Sequence, residues 1–221
     1  SKVYAILSST MNKIKIGLSS CLLGNKVRFD GQHKLDHFIK DTLGNWCDFI
    51  PVCPEVECGL PVPRETMRLV GNVEDPNLVT GKTGIDHTPR MKAWMASRLE
   101  ELAKENLVAF IFKSKSPSSG MRGVKVYNEE GNTISSTGTG LFARGFMDRF
   151  PDIPVEDEGR LNDPGIRENF IETIFVLQRW RETVSGGTAG DLVEFHSRHK
   201  YTIMGHSPEK LRELGKLTAK S

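Results

Sequence analysis

No stretch of this sequence reaches the roughly 18 consecutive apolar residues that a membrane-spanning helix needs, which excludes an integral membrane role. An excess of one charge is missing too. Thirty Lys and Arg stand against 28 Asp and Glu, a net +2, so no overall field advertises a nucleic acid or membrane surface as partner. Cysteine is scarce: the four, at 21, 47, 53 and 58, are too few for a secreted disulfide scaffold in 221 residues. A basic stretch followed by a long apolar core is absent from SKVYAILSST, so it makes a poor signal peptide. Residues 1–10 are therefore expected to be a leader or remnant outside the fold, and the compartment the reducing cytoplasm. No Walker or G-x-S-x-G pattern occurs, and no second cysteine pair completes a zinc site with Cys53 and Cys58.

What remains is a chain with 38% hydrophobic and 26% charged residues, long enough for one or two domains with a real core. Lys13 to Leu18 alternates basic and apolar residues before Ser-Ser-Cys-Leu-Leu-Gly breaks the pattern, which predicts a strand entering a loop. Residues 34–43 carry apolar positions at helical spacing. Asp48 to Val52 predicts a short strand running into Cys53-Pro54-Glu55, and Leu107 to Phe112 a buried strand running into KSKSPSSG. Between them, Thr88 to Asn106 predicts a helix with Thr88 as N-cap, Pro89 at the first helical position and Met91, Trp94, Met95, Leu99 and Leu102 on one face. Val124 to Tyr127 and Asn132 to Ser136 predict a hairpin across NEEG. Strands alternating with helices argue an α/β domain over 11–160 with an open, largely parallel, Rossmann-like sheet flanked by helices. A Pro/Asp-rich stretch then leads into an all-α segment over 161–221, with helices expected at 166–184, about 189–204 and 208–217.

Three loops follow predicted strands: SSCLLG, VCPEVECGL and KSPSSG. In an open α/β sheet such loops converge on one crevice. Cys21 and Cys53 on separate loops suit a metal, an iron–sulfur cluster or a nucleophile, or else fill space as small buried hydrophobes. Glu55 is an acid/base group or an exposed carboxylate. Gly138-Thr-Gly140-Leu-Phe-Ala143 matches G-x-G-x-x-A but follows a hairpin, so nucleotide binding there is a weak expectation. In the tail, residues 196–221 hold six Lys or Arg against two acids, and three of the six histidines. His196, Arg198, His199, Lys200 and Tyr201 there suit phosphate contacts and base stacking, or form an ordinary solvated face.

SSCLLG, VRFDG, VCPEVECGLPVPRE, MRLVG, KSPSSG and RLNDP, in that order over about residues 13–160, resemble the thiouracil desulfidase family. FHSRHKYTIMGHSPEKLRELG resembles the start of the second domain in its two-domain relatives, which are implicated in removing sulfur from 4-thiouridine in tRNA. The resemblance implies a [4Fe-4S] cluster held by three cysteines with one iron open to substrate. Cys21 and Cys53 match two of them; the third falls on Ser119, and a neutral hydroxyl is a poorer iron ligand than a thiolate. Three readings stand: the substitution disables the site, Cys58 or Cys47 supplies the third thiolate, or the cluster is lost and binding alone is kept. The resemblance further implies Glu55 as the base that activates water and Ser116 as the serine that positions substrate or relays a proton. Arg28 and Asp30 are expected to contact substrate. The resemblance leads to the expectation of a cluster-dependent, non-redox desulfidase of 2-thiouracil or 4-thiouridine, free or in tRNA. Its rivals are a tRNA-binding protein with a lost desulfidase domain and a cysteine-nucleophile hydrolase.

Overall fold

The computed structural model describes residues 12–186. Lys15–Asp163 forms one compact unit, and the described residues on either side belong to a second. Two four-stranded sheets organise the first unit. One has the order β2–β1–β5–β8, built from β1 (Ile14–Ser19), β2 (Cys47–Val52), β5 (Ala109–Phe112) and β8 (Val155–Asp157). β5 runs parallel to β1, with Ile16 opposite Ala109, and parallel to β8, with Phe110 opposite Val155. All four β5 residues are buried, as a central parallel strand covered on both faces requires. The predicted α/β class with a mostly parallel sheet is what the chain adopts.

The second sheet, in the order β4–β3–β6–β7, is one the sequence reading did not separate from the first. β3 (Met67–Gly71) pairs antiparallel with β4 (Pro76–Thr80) and parallel with β6 (Val124–Tyr127), which forms the expected hairpin with β7 (Thr133–Gly138). β4 and β6 alternate buried and open residues, Pro76, Leu78 and Thr80 turning inward along β4, and the strands are too short and too half-apolar to announce a sheet of their own.

Short α1 (Pro54–Glu57) follows β2, and α2 (Thr88–Lys104) spans the predicted long helix. The expected cap shifts by one residue. His87 occupies the N-cap, while Thr88 is already helical, its hydroxyl accepting the Leu78 N–H at 2.7 Å and its own N–H donating to Asp86 at 2.8 Å. Residues 34–43 give no α-helix: a π-helical turn at Phe38–Thr42 passes into a 3₁₀ turn at Leu43–Asn45, a segment too short to sustain more. The Pro/Asp-rich stretch contributes β8. Beyond it, α4 (Pro164–Gly186) carries buried Phe170, Ile174, Phe175 and Val176. The helices expected at 189–204 and 208–217 lie outside the described residues.

Aromatic packing stiffens the first sheet. Phe110 stacks on Phe112 at 4.4 Å, and both meet Phe142 and Phe146 of α3 (Leu141–Arg149). Helix α3 also holds the loop after β5 in place. The N–H groups of Gly140, Leu141 and Phe142 donate to the carbonyls of Gly120, Pro117 and Ser118, which satisfies donors a helix start would otherwise leave open. This assigns the G-x-G-x-x-A pattern to protein packing: its amides are engaged by the chain's own loop. A Cβ on Gly140 would come within 2.6 Å of the Ser118 carbonyl carbon and 2.7 Å of its oxygen, both backbone atoms. Gly140→Ala is therefore expected to cost about 1–3 kcal/mol, the usual range for overpacking, seen as a lower denaturant midpoint with an unchanged slope.

Candidate active site

The loops that leave β1, β2 and β5 wall a cavity of about 230 Å³. Adjacent strands in one sheet bring these loops together although they are far apart in sequence. Ser20 to Leu23 form a 3₁₀ turn straight after β1, closed by Gly24 in the left-handed region, and this turn presents Cys21. Cys53 sits between β2 and α1, its N–H donating to Glu57 at 2.9 Å. Pro54 follows as the first residue of α1, where its missing N–H costs nothing, and the turn brings Glu55 to the same wall. After β5 the chain bends through Lys115, which has φ 58°, into the Ser116–Gly120 loop. Cys21, Cys53, Glu55, Ser116 and Ser119 all line the cavity.

Glu55 is the best-connected group there. Arg64 donates through Nε to Oε2 at 2.7 Å, and the pair is nearly shut off from solvent, 6% and 13% of the two side chains remaining exposed. Oε1 accepts the Ser118 hydroxyl at 2.8 Å, and the Ser118 and Ser116 oxygens are 3.0 Å apart. With the Ser118 proton committed to Glu55, Ser116 is the donor of that second bond. Ser116 Oγ in turn accepts the N–H groups of Ser119 and Ser118, at 3.1 and 3.3 Å. A polarised hydroxyl chain thus runs from Ser116 through Ser118 to the carboxylate. Ser118 and Arg64 escaped the sequence reading. Ser118 was legible only as one more serine in SPSSG, and Arg64 lies nine residues from its partner.

Arg64 does more than pair with Glu55. Its Nη2 donates to the Val27 carbonyl at 2.9 Å and its backbone N–H to the Phe29 carbonyl at 2.8 Å, tying the 27–29 loop to the carboxylate. Arg28 lines the cavity beside that loop, whereas Asp30 does not. Asp30 instead faces Arg28 at 3.4 Å, and the Gln32 N–H holds its carboxyl below the usual range. Asp30, the other expected substrate contact, thus stabilises its own turn. Lys113, also missed, lines the cavity while its ammonium is held by Glu158 and Ser114. Neither Cys47 nor Cys58 lines the cavity: Cys47 is buried at the start of β2, and the Cys58 thiol donates to the Glu55 carbonyl at 3.2 Å. Both are thereby removed as stand-ins for a third thiolate in this arrangement. His196, Arg198, His199, Lys200 and Tyr201 lie outside the described residues.

Burial pushes the Cys21 thiol up to about 11, with Lys113 and Arg28 pulling it down and Cys53 adding to the rise. Burial raises Cys53 as well. Among the described residues, no histidine lines the cavity. A thiol moved away from ionisation is the reverse of an activated nucleophile, which counts against the hydrolase reading. In the metal-free chain, iodoacetamide is expected to label Cys21 at least about 100-fold more slowly than free cysteine at pH 7.5, the rate climbing as pH rises from about 9 to 11. Because the folded chain holds this proton more tightly than the unfolded one, its contribution to stability is fully present below the unfolded pKa and is lost as pH rises through the folded value. Peptide mapping of labelled protein across that range checks the expectation.

Among curated proteins none matches this chain. A solved structure described as a [4Fe-4S]-dependent thiouracil desulfidase, TudS, is similar to it, with 31% identity and a TM-score of 0.55, over 72% of this chain and 99% of that one. The profile of the 2-thiouracil desulfurase family matches residues 16–158, a span holding every cavity-lining residue. The chain belongs to the 2-thiouracil desulfurase family.

Proposed function

We propose that the chain removes sulfur from thiolated uracil by hydrolytic, non-redox C–S cleavage, with a [4Fe-4S] cluster held at the cavity. The observation that carries this reading is the meeting of two thiols from separate strand ends with a carboxylate seated on a hydroxyl chain. The donor set fits iron at two positions. Cys21 and Cys53 are soft ligands on the cavity wall, and Ser119, 4% exposed on the same wall, adds a weaker oxygen donor. A volume of about 230 Å³ falls below the roughly 300–1,000 Å³ of pockets for drug-sized ligands and restricts the cavity to small occupants.

When bound, the cluster supplies a Lewis acid for the thiocarbonyl sulfur. The protein's own residues supply the rest. Glu55, oriented by Arg64 and Ser118, takes a proton from water, and the resulting hydroxide attacks the thiocarbonyl carbon. Ser116 and Ser118 carry hydrogen bonds from the far wall to Glu55, so the proton can be shared along the chain and returned to the departing sulfur. The carbon–sulfur bond breaks as the new carbon–oxygen double bond forms. Thiouracil and water give uracil and hydrogen sulfide, with no change in oxidation state.

A second reading takes 4-thiouridine in tRNA as substrate and rests on the six cations of residues 196–221. Its relative is a tRNA-binding protein whose desulfidase domain is inactive because Ser119 weakens the cluster. A thiolate-held cluster also suits the reducing cytoplasm. Anaerobic reconstitution with iron and sulfide, followed by sulfide assays on 2-thiouracil, 4-thiouridine and thiolated tRNA, separates these. Release from the free base or nucleoside supports the first reading. Release from tRNA alone, falling steeply with salt, supports the second. Salt-sensitive tRNA binding without turnover supports the inactive form.

A further inference from the structure

Phe29 belongs to the cavity wall, yet no step above uses it. Among the described residues that line the cavity it is the single aromatic, and it keeps 37% of its surface exposed. An aromatic ring ordinarily contributes most by burying itself, so one left open at a cavity gains from an occupant that covers it. The backbone that carries the ring is tied down at two points. Its carbonyl accepts the Arg64 N–H at 2.8 Å, and the turn behind it closes through Gly31 N–H to the Arg28 carbonyl at 3.0 Å. The Arg28 guanidinium lies 5.4 Å from the ring centroid and is itself drawn toward Asp30. Val27, Val52, Pro54 and Pro117 make much of the remaining wall apolar. An aromatic surface backed by a cation, on the wall of a small cavity, matches a flat π-rich ring.

We infer that Phe29 is the platform on which the pyrimidine ring of the substrate stacks, with Arg28 holding the platform and Asp30 holding Arg28. The inference rests on the reading of this cavity as a site for thiolated uracil. One guanidinium, that of Arg64, then ties both the stacking loop and the carboxylate that prepares the attacking water, so the ring's plane and the line of attack share one anchor. Recognition of this kind selects for planarity, since every aromatic base offers a π-face.

The test titrates the full chain calorimetrically with uracil, the unreactive product, with 2-thiouracil, and with 5,6-dihydrouracil, whose ring is puckered. Phe29→Leu keeps much of the apolar volume, Phe29→Tyr keeps the ring, and thermal melts verify that both are folded. Uracil is expected to bind roughly 5- to 100-fold more weakly to Phe29→Leu and nearly normally to Phe29→Tyr. The native chain should prefer uracil to dihydrouracil, and the leucine variant should lose that preference. Native affinity for uracil in Phe29→Leu overturns the platform and leaves the thiouracil reading standing. An equal loss for uracil and dihydrouracil overturns stacking in favour of mere shape. If the native chain binds neither uracil nor 2-thiouracil, the reading of the cavity falls first, and this inference with it.

Discussion

Glu55→Gln is expected to lower sulfide release from 2-thiouracil by about 10²–10⁴-fold while leaving iron content unchanged. Glutamine keeps the shape, and its amide oxygen can still accept the Ser118 hydroxyl, but it cannot take the proton from water. The same change leaves the Arg64 guanidinium, 6% exposed, without its counter-charge. Removing one member of a buried pair costs roughly 3–5 kcal/mol, so the variant must be assayed well below its own melting temperature. Glu55→Asp supplies the comparison: it retains the charge, shortens the reach, and should recover stability before it recovers rate. Full turnover in folded Glu55→Gln would remove this carboxylate from the chemistry.

Ser119→Cys is expected to have the opposite sense, raising iron retention after reconstitution toward about four per chain and raising turnover with it. Its physical basis is ligand softness: Cys21 and Cys53 bring two thiolates to the cavity, and the third donor on that wall is a hydroxyl. The broad visible absorption of the cluster and its survival through gel filtration give a readout that does not depend on catalysis. Equal iron retention in both forms would show that position 119 is no ligand. Iron uptake by neither would overturn the cluster reading altogether.

Strands whose residues are buried on both faces were legible from sequence. The LVAFIF run gave β5, and the residues around Lys13 to Leu18 gave β1, each within two residues of its observed bounds. The loops after them were legible for the same reason, because small polar residues and glycine interrupt the apolar pattern abruptly. What the sequence hid was pairing. Met67–Gly71 and Pro76–Thr80 are five residues each and half-buried, and nothing in them says that β3 will lie parallel to β6 more than 50 residues on. The functional cavity shows the same division. Cys21, Cys53, Glu55 and Ser116 sit in recognisable motifs, whereas Arg64 and Ser118 matter through hydrogen bonds that only the folded backbone creates. The glycine pattern at 138–143, a weak nucleotide signal because it follows a hairpin, serves packing: the geometry that admits a phosphate to a helix start also admits a peptide loop.

The order β2–β1–β5 sets the sequence of assembly as well as the shape. Cys21 leaves the end of one strand, Cys53 the end of a second and Ser119 the loop of a third, and the last of these strands is made from residues more than 80 positions beyond the first. No partly folded fragment can gather these donors, and a one-residue slip between β1 and β5 would turn the alternating faces of a strand over. In the proposed cluster-bound form, iron capture would therefore wait for the pairing of β1, β2 and β5. A metal that binds only the finished fold holds it by mass action, so loading would act as the closing lock of folding.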